Sequence, residues 1–161
     1  MNNKQKFENF LESLKGNGQD SLIESVKSGF QACYESIFDG HGSDANKIAK
    51  GYLDAMFWTE EEETTKEKDF TDLAPETIKK IQRDVGKFYK MTQDLINALP
   101  TEYTDKYGYE QVGHDFWLTR NGHGSGFWDR QLGELGDKLT EIAETFGEAT
   151  LYKGDDGKLY L

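Results

Sequence analysis

The stretch HDFWLTRNGHGSGFWDR, residues 114–130, decides how the second half of the chain is interpreted. It holds two Phe-Trp pairs, two histidines, two aspartates, two arginines and three glycines. Residues 116–119 (Phe-Trp-Leu-Thr) are mostly strand formers, and Asn121-Gly122 tolerates the positive φ of a tight hairpin turn. The pattern therefore predicts a β-hairpin whose tip contains residues 121–126.

Along each arm of such a hairpin the side chains alternate between the two faces, so the members of a Phe-Trp pair cannot both point inward. One face is expected to pack on the following helix, and the other to present Trp117 or Trp128 with Arg120 near the tip. An exposed Trp beside an Arg is a frequent composition of a protein-binding hot spot, whereas a Trp buried beneath the last helix is the alternative. The residues predicted to contact a protein partner are Trp117, Arg120, His123, Trp128 and Arg130.

The same stretch contains residue types that bind metals. His114, Asp115, His123 and Asp129 could act as ligands, but hydrolases that use a His-Asp pair need further ligands from neighbouring helices. The remaining histidine, His41, lies far away in a Gly-rich turn. We therefore expect no metal and no cofactor, and a small metal-dependent hydrolase built on these four residues is the alternative.

Other catalytic patterns are incomplete. Cys33 lies on the apolar stripe of a predicted helix, where an inert core thiol is the ordinary interpretation. Residues 124–126 (Gly-Ser-Gly) lack the spacing and the following helix of a nucleophile elbow. Glycines at 122, 124 and 126 are flanked by strand formers, which favours a turn over a phosphate-binding loop. Residues 155–157 lack the alternating oxygens of a Ca²⁺ loop. These patterns predict a protein that is not an enzyme.

Towards the N-terminus the apolar residues follow a helical period. Spacings of three and four recur in residues 7–14, 22–37 and 48–57, which predicts three helices. The fourth predicted helix is the clearest, because Pro75 suits a first helical turn and Pro100 ends the pattern. Its apolar seam needs a partner along its whole length, most simply the other helices of a bundle. The seam consists of Ile78, Ile81, Val85, Phe88, Thr92, Leu95 and Leu99.

Beyond the opening stretch, residues 132–146 return to helical spacing, and residues 149–161 predict a second hairpin around the turn 154–157. The expected fold class is α+β: an N-terminal bundle of about four helices, then a small antiparallel β-β-α-β-β unit. Residues 60–74 begin with a charged run and are predicted to connect a helical region, 1–59, with a unit spanning 75–161, unless one compact domain forms. A protease is expected to cut within 60–69.

Composition limits the class of partner. The chain has 161 residues with 30 acids against 19 bases, a net charge of −11, and its one adjacent basic pair is Lys79-Lys80. Binding to phosphates needs clustered Lys and Arg, so nucleic acid is an unsuitable ligand, and a basic or nucleic-acid-accepting protein surface suits the charge better. The single cysteine, the absence of a long apolar run and the polar N-terminus predict a cytoplasmic protein that binds no membrane.

Residues 114–130, the following Leu-Gly-x-Leu-Gly and the later Leu-Tyr-x-Gly-Asp-Asp-Gly resemble a segment of small uncharacterised proteins from tailed phages and prophages. The resemblance covers about the last third of the chain and implies a phage-encoded accessory protein that acts in the host cytosol. Such small acidic proteins often bind and inhibit a host machine, for example a Lon-type ATP-dependent protease, a CRISPR effector or a defence nuclease. A DNA-mimicking or structural module is a further alternative, although bases interspersed along the fourth helix argue against mimicry.

Overall fold

The computed structural model describes residues 42–60 and 62–161. The helices predicted over 7–14 and 22–37, together with Cys33 and His41, lie outside the described residues. The described part is mostly helical with one small antiparallel sheet, which is the coarse form of the expected α+β class. Its elements are α1 (Gly42–Thr59), α2 (Glu62–Thr65), α3 (Pro75–Asn97), α4 (Thr101–Arg120), α5 (Glu134–Glu144), β1 (Tyr152–Lys153) and β2 (Leu159–Tyr160), with single 3₁₀ turns at Phe70–Asp72 and Phe127–Asp129.

The closest helix contact joins α1 and α4 and is made by a glycine on each side. A Cβ atom at Gly51 would overlap the carbonyl oxygen of Glu110, and one at Gly113 would overlap that of Ile48. A glycine inside a helix costs about 1 kcal/mol relative to alanine. The cost is offset here because the missing side chains let the two backbones touch. Gly108, with φ of 62°, interrupts the helical geometry inside α4 upstream of this contact.

Aromatic rings around Phe116 form the centre of the core. The Phe116 ring stacks on Phe88 of α3 with centroids 4.0 Å apart and meets Phe146 edge-on at 5.0 Å. Tyr52 of α1 packs against the same ring at 5.3 Å. Offset and edge-on aromatic pairs of this kind add about 0.5–1.5 kcal/mol each beyond the area that they bury. A single core therefore joins α1, α3, α4 and the segment after α5.

Four sequence predictions are confirmed. α1 covers the helix expected over 48–57, α3 begins at Pro75 as expected, and α5 lies within the helical spacing of 132–146. The C-terminal hairpin is also present, with Tyr152 paired to Tyr160 and Lys153 to Leu159. This hairpin is anchored on the start of α3, because Ala74 N donates a hydrogen bond of 2.9 Å to Leu159 O.

The hairpin predicted for residues 114–130 is wrong. Residues 114–120 form the last two turns of α4, residues 121–126 form a loop, and residues 127–129 form a 3₁₀ turn, so the expected β-β-α-β-β unit lacks its first two strands. Gly122 does take a positive φ of 63°, but it ends a helix, and His123 N bonds to Leu118 O at 3.0 Å. A positive-φ glycine serves both a helix C-terminus and a hairpin turn, so the Asn-Gly signal does not separate the two.

The charged run contains some structure of its own. α2 occupies one turn of it, and Asp69 caps the 3₁₀ turn that follows by accepting from Thr71 N at 2.8 Å. Phe70, just after the run, is buried edge-on against Phe57 at 5.0 Å. Because α1 and α4 share a core across this connection, a cut within 60–69 is not expected to release α1. The cleavage itself stays a prediction.

Candidate binding surface around Trp58

The first tryptophan of the opening stretch lies in the core. Trp117 is fully buried and meets the Tyr52 ring edge-on at 5.1 Å. Its Nε1 donates a hydrogen bond of 2.7 Å to Thr59 Oγ1 at the end of α1. The expected exposure of Trp117 is therefore wrong, because α4 directs this side chain towards α1.

Arg120, expected near an exposed tip, is also buried. Its Nη1 donates to Tyr52 Oη and to Asp84 Oδ2, each at 3.0 Å. Its Nε and Nη2 donate to the carbonyl oxygens of Gly147 and Phe146 at 2.8 and 2.9 Å. Burial raises the pKa of the Tyr52 hydroxyl well above its ordinary value, although the nearby guanidinium opposes that rise. The expected surface position is wrong, because this guanidinium joins α4 to α1, α3 and the segment after α5.

Asp115 is the buried centre of a second polar cluster. Tyr103 Oη donates to Oδ2 at 2.8 Å, and Gln111 Nε2 donates to Oδ1 at 2.9 Å. Arg130 bonds to both carboxylate oxygens, with Nη2 2.8 Å from Oδ1 and Nε 3.1 Å from Oδ2. Burial raises the pKa of Asp115, but the adjacent His114, the Arg130 guanidinium and Gln111 lower it by more, so the pKa lies below its ordinary value. The carboxylate is ionised and its oxygens are occupied.

The residues named for the alternative metal site do not converge. His114 Nδ1 lies 3.9 Å from Asp115 Oδ1, whereas Asp129 Oδ1 accepts a hydrogen bond of 3.0 Å from Gly126 N in the 3₁₀ turn. His123 is half-buried in the loop after α4. Among the side chains that the structure describes, no group of three or more His, Cys, Asp or Glu is placed to hold a metal ion.

Of the two tryptophans in the opening stretch, Trp128 is the exposed one, with 54% of its surface accessible. Its indole lies beside Gly126, where a Cβ atom would come within 3.2 Å of Trp128 Nε1. Thr119 of α4 anchors this turn, because its Oγ1 accepts a hydrogen bond of 3.1 Å from Phe127 N. Arg130, a third exposed, is paired with Asp115. Trp128 and His123 therefore remain accessible among the predicted contact residues.

Trp58, which the sequence analysis did not name, is more exposed than Trp128 or His123. Trp58, in the last turn of α1, has 69% of its surface accessible. It lies at a depression of about 320 Å³ whose lining comes from the end of α1, from α4 and from the loop after α4. The lining residues are Trp58, Thr59, Leu118, His123, Gly124 and Ser125.

The spacing along α1 contained a signal for Trp58. The apolar stripe of this helix ends at Phe57, and residues four apart on a helix share a face. Trp58 follows Asp54 by four residues, and Asp54 is exposed. A tryptophan in register with an acid on the polar face of an amphipathic helix is therefore expected to face solvent.

The residues near Trp58 in sequence are acidic, whereas the residues that line the depression are uncharged. Four consecutive glutamates, 60–63, follow Trp58 by two residues, and Asp54 precedes it by one helical turn. None of the lining residues carries a formal charge when His123 is neutral. Trp58 is therefore a large, exposed apolar side chain flanked in sequence by acidic residues.

Comparison of the chain with protein-family models, with curated proteins and with solved structures finds no match. Across the described ranges, no helix has both the length and the apolar character needed to cross a membrane.

Proposed function

We propose that the protein acts by binding another protein, not by catalysis, and that Trp58 and the depression beside it form the contact. The observation that carries this proposal is the 69% exposure of Trp58 at the depression. Tryptophan is enriched among the few interface residues that dominate binding free energy, particularly where it can be buried in a pocket.

The partner presents a basic surface. Asp54 and the glutamates 60–63 lie close to Trp58 in sequence, and the chain carries a net charge of −11. Charge complementarity of this kind speeds association and excludes partners of like charge. Together with the resemblance to phage proteins, this favours a phage-encoded inhibitor in the host cytosol. Its target is a Lon-type ATP-dependent protease, a defence nuclease or a CRISPR effector, enzymes that contact nucleic acid or other anions.

The titratable groups at the centre of residues 114–130 support binding over catalysis. The oxygens of Asp115 accept hydrogen bonds from Tyr103, Gln111 and Arg130, and the Arg120 guanidinium donates to Asp84, Tyr52 and two carbonyl groups. Because these groups are hydrogen-bonded within the protein, their role is to position the helices. The loop after α4 and Trp58 are then the parts of this region that a partner can contact.

The test compares wild type, Trp58→Ala and Tyr152→Ala as baits in a bacterial lysate. Tyr152 is a matched control because it is an exposed aromatic, 55% accessible, on the C-terminal hairpin. A partner identified with wild type is then purified, and its affinity for each variant is measured by calorimetry. We expect Trp58→Ala to weaken binding by about 2 kcal/mol or more, roughly 30-fold, and Tyr152→Ala to leave it unchanged.

Two further measurements test the contribution of the acidic charge to association and the link between binding and inhibition. Asp54→Lys should slow association and reduce its salt dependence while the melting temperature stays within a few degrees. Inhibition of the purified partner's own activity should decline in parallel with affinity. Equal affinity of the wild-type and Trp58→Ala proteins would remove Trp58 from the contact.

A further inference from the structure

The outward face of α3 carries a basic stripe, defined here as Lys79, Arg83, Lys87 and Lys90. All four side chains are exposed. Their spacings of four, four and three keep them on one side of the helix, and at 1.5 Å per residue they span about 16 Å. Met91, 47% exposed, lies at the end of the stripe. Glu76 and Asp94 border its two ends.

The outward face of α5 carries the opposite charge in a stripe of similar length. The acidic stripe consists of Glu134, Asp137, Glu141 and Glu144, all exposed. Spacings of three, four and three again select one side of the helix, and the stripe spans about 15 Å. Lys138 is the one exposed base within this helix.

The two stripes are not neutralised within the described part of the chain. Lys79 and Lys90 form no ion pair there, and neither do the four acids of α5. Lys87 instead lies over the Phe146 ring, with Nζ 5.5 Å from the centroid, and Arg83 comes no closer than 3.9 Å to its neighbour Asp84. α3 and α5 contact each other directly. Just after α5, Phe146 also meets Phe88 of α3 edge-on at 6.1 Å. The two stripes thus lie on neighbouring helices, and their charges are largely unpaired among the described residues.

We propose that a second copy of this chain occupies these stripes, with the basic stripe of each protomer against the acidic stripe of its partner. A two-fold axis makes both contacts at once, since in such an interface each surface meets its complement on the other copy. The matched lengths and opposite signs supply the complementarity. The net charge of −11 repels the two copies in general, so association depends on the stripes and on ionic strength.

The test measures the oligomeric state of the full chain by sedimentation at about 0.1 M and about 1 M salt, between which the Debye length falls from about 10 Å to about 3 Å. We expect a reversible dimer at the lower salt and a monomer at the higher. A basic-stripe variant, Lys79→Glu with Arg83→Glu and Lys90→Glu, should dimerise at least about tenfold more weakly. An acidic-stripe variant, Asp137→Lys with Glu141→Lys and Glu144→Lys, should behave in the same way.

Mixing the two variants gives the discriminating result. One then has two acidic stripes and the other two basic stripes, so a heterodimer satisfies both contacts and should form although neither variant associates alone. The matched control reverses Lys153 and Lys158, exposed bases near the C-terminal hairpin, and should dimerise like the wild type. A wild-type chain that stays monomeric at about 0.1 M salt, or variants that fail to form the heterodimer while remaining helical by circular dichroism, would overturn the proposal.

Discussion

α3 and α4 have similar lengths, 23 and 20 residues, but they meet their surroundings differently. α3 buries one side and exposes the other, where its basic stripe lies. The last eight residues of α4, 113–120, are buried on every side except at His114. That segment contains both polar clusters, centred on Asp115 and Arg120, as well as the aromatic centre of the core. Substitutions on the two helices should therefore differ greatly in cost, even when the residue types match.

The largest effect is expected where α4 touches α1. Gly113→Ala would place a methyl group on the carbonyl oxygen of Ile48 and force the two helices apart, because neither backbone can yield locally. We expect a loss of about 3 kcal/mol or more in the free energy of unfolding, at the upper end of overpacking costs. Urea denaturation measures it. Gly124→Ala is the control, since a Cβ atom there has no neighbour within 4 Å, and should change stability by less than about 0.5 kcal/mol.

The next effect separates a buried arginine from an exposed one. Arg120→Ala leaves Asp84, the Tyr52 hydroxyl and two carbonyl groups without their donor, and should cost about 3–5 kcal/mol. Arg83→Ala on α3 removes a side chain that is 71% exposed and should cost less than about 0.5 kcal/mol. Similar melting temperatures for the two variants would show that the Arg120 network does not stabilise the fold.

A smaller effect concerns acid pH. The folded pKa of Asp115 lies below its ordinary value, so its ionised form contributes stability above the unfolded pKa of about 3.9. That contribution is lost as the pH falls through the lower, folded pKa. Asp115→Asn should therefore be less stable than the wild type at pH 6, and the difference should narrow below pH of about 4. Denaturation curves at several pH values measure this. A difference that is constant with pH would exclude an ionised Asp115 as its source.

Sequence reasoning was accurate for α3 because solvent on one side of a helix forces polar residues to recur at a fixed spacing. Pro75 at its start and Pro100, three residues beyond its last residue, marked its bounds closely. At the end of α4 the same reasoning failed, because this segment is buried on nearly all sides and so has no polar face. Without a helical spacing of polar residues, Phe-Trp-Leu-Thr matches the composition of a strand. Tertiary packing then overrides strand propensity, which itself measures side-chain packing more than backbone preference.

The candidate surface was harder to predict than the fold. Trp128 was one of the two tryptophans considered, and its exposure follows from a 3₁₀ turn that the sequence did not indicate. Trp58 is the single tryptophan of an amphipathic helix, far in sequence from the segment richest in aromatic residues and glycines, and only its spacing from Asp54 placed it on a polar face. The glycines at 51 and 113 also carried a signal, since a mid-helix glycine usually has a packing reason.

The central claim is that Trp117 belongs to the core whereas Trp58 and Trp128 face solvent, and fluorescence tests it directly because the chain has three tryptophans. Three variants, each retaining one tryptophan with the other two changed to phenylalanine, are titrated with acrylamide. We expect Trp117 alone to emit at the shortest wavelength and to resist quenching, and Trp58 alone to be quenched most, in the order of their exposures of 0% and 69%. Quenching of Trp117 as efficient as that of Trp58, in a variant that retains its helical circular dichroism, would contradict the account.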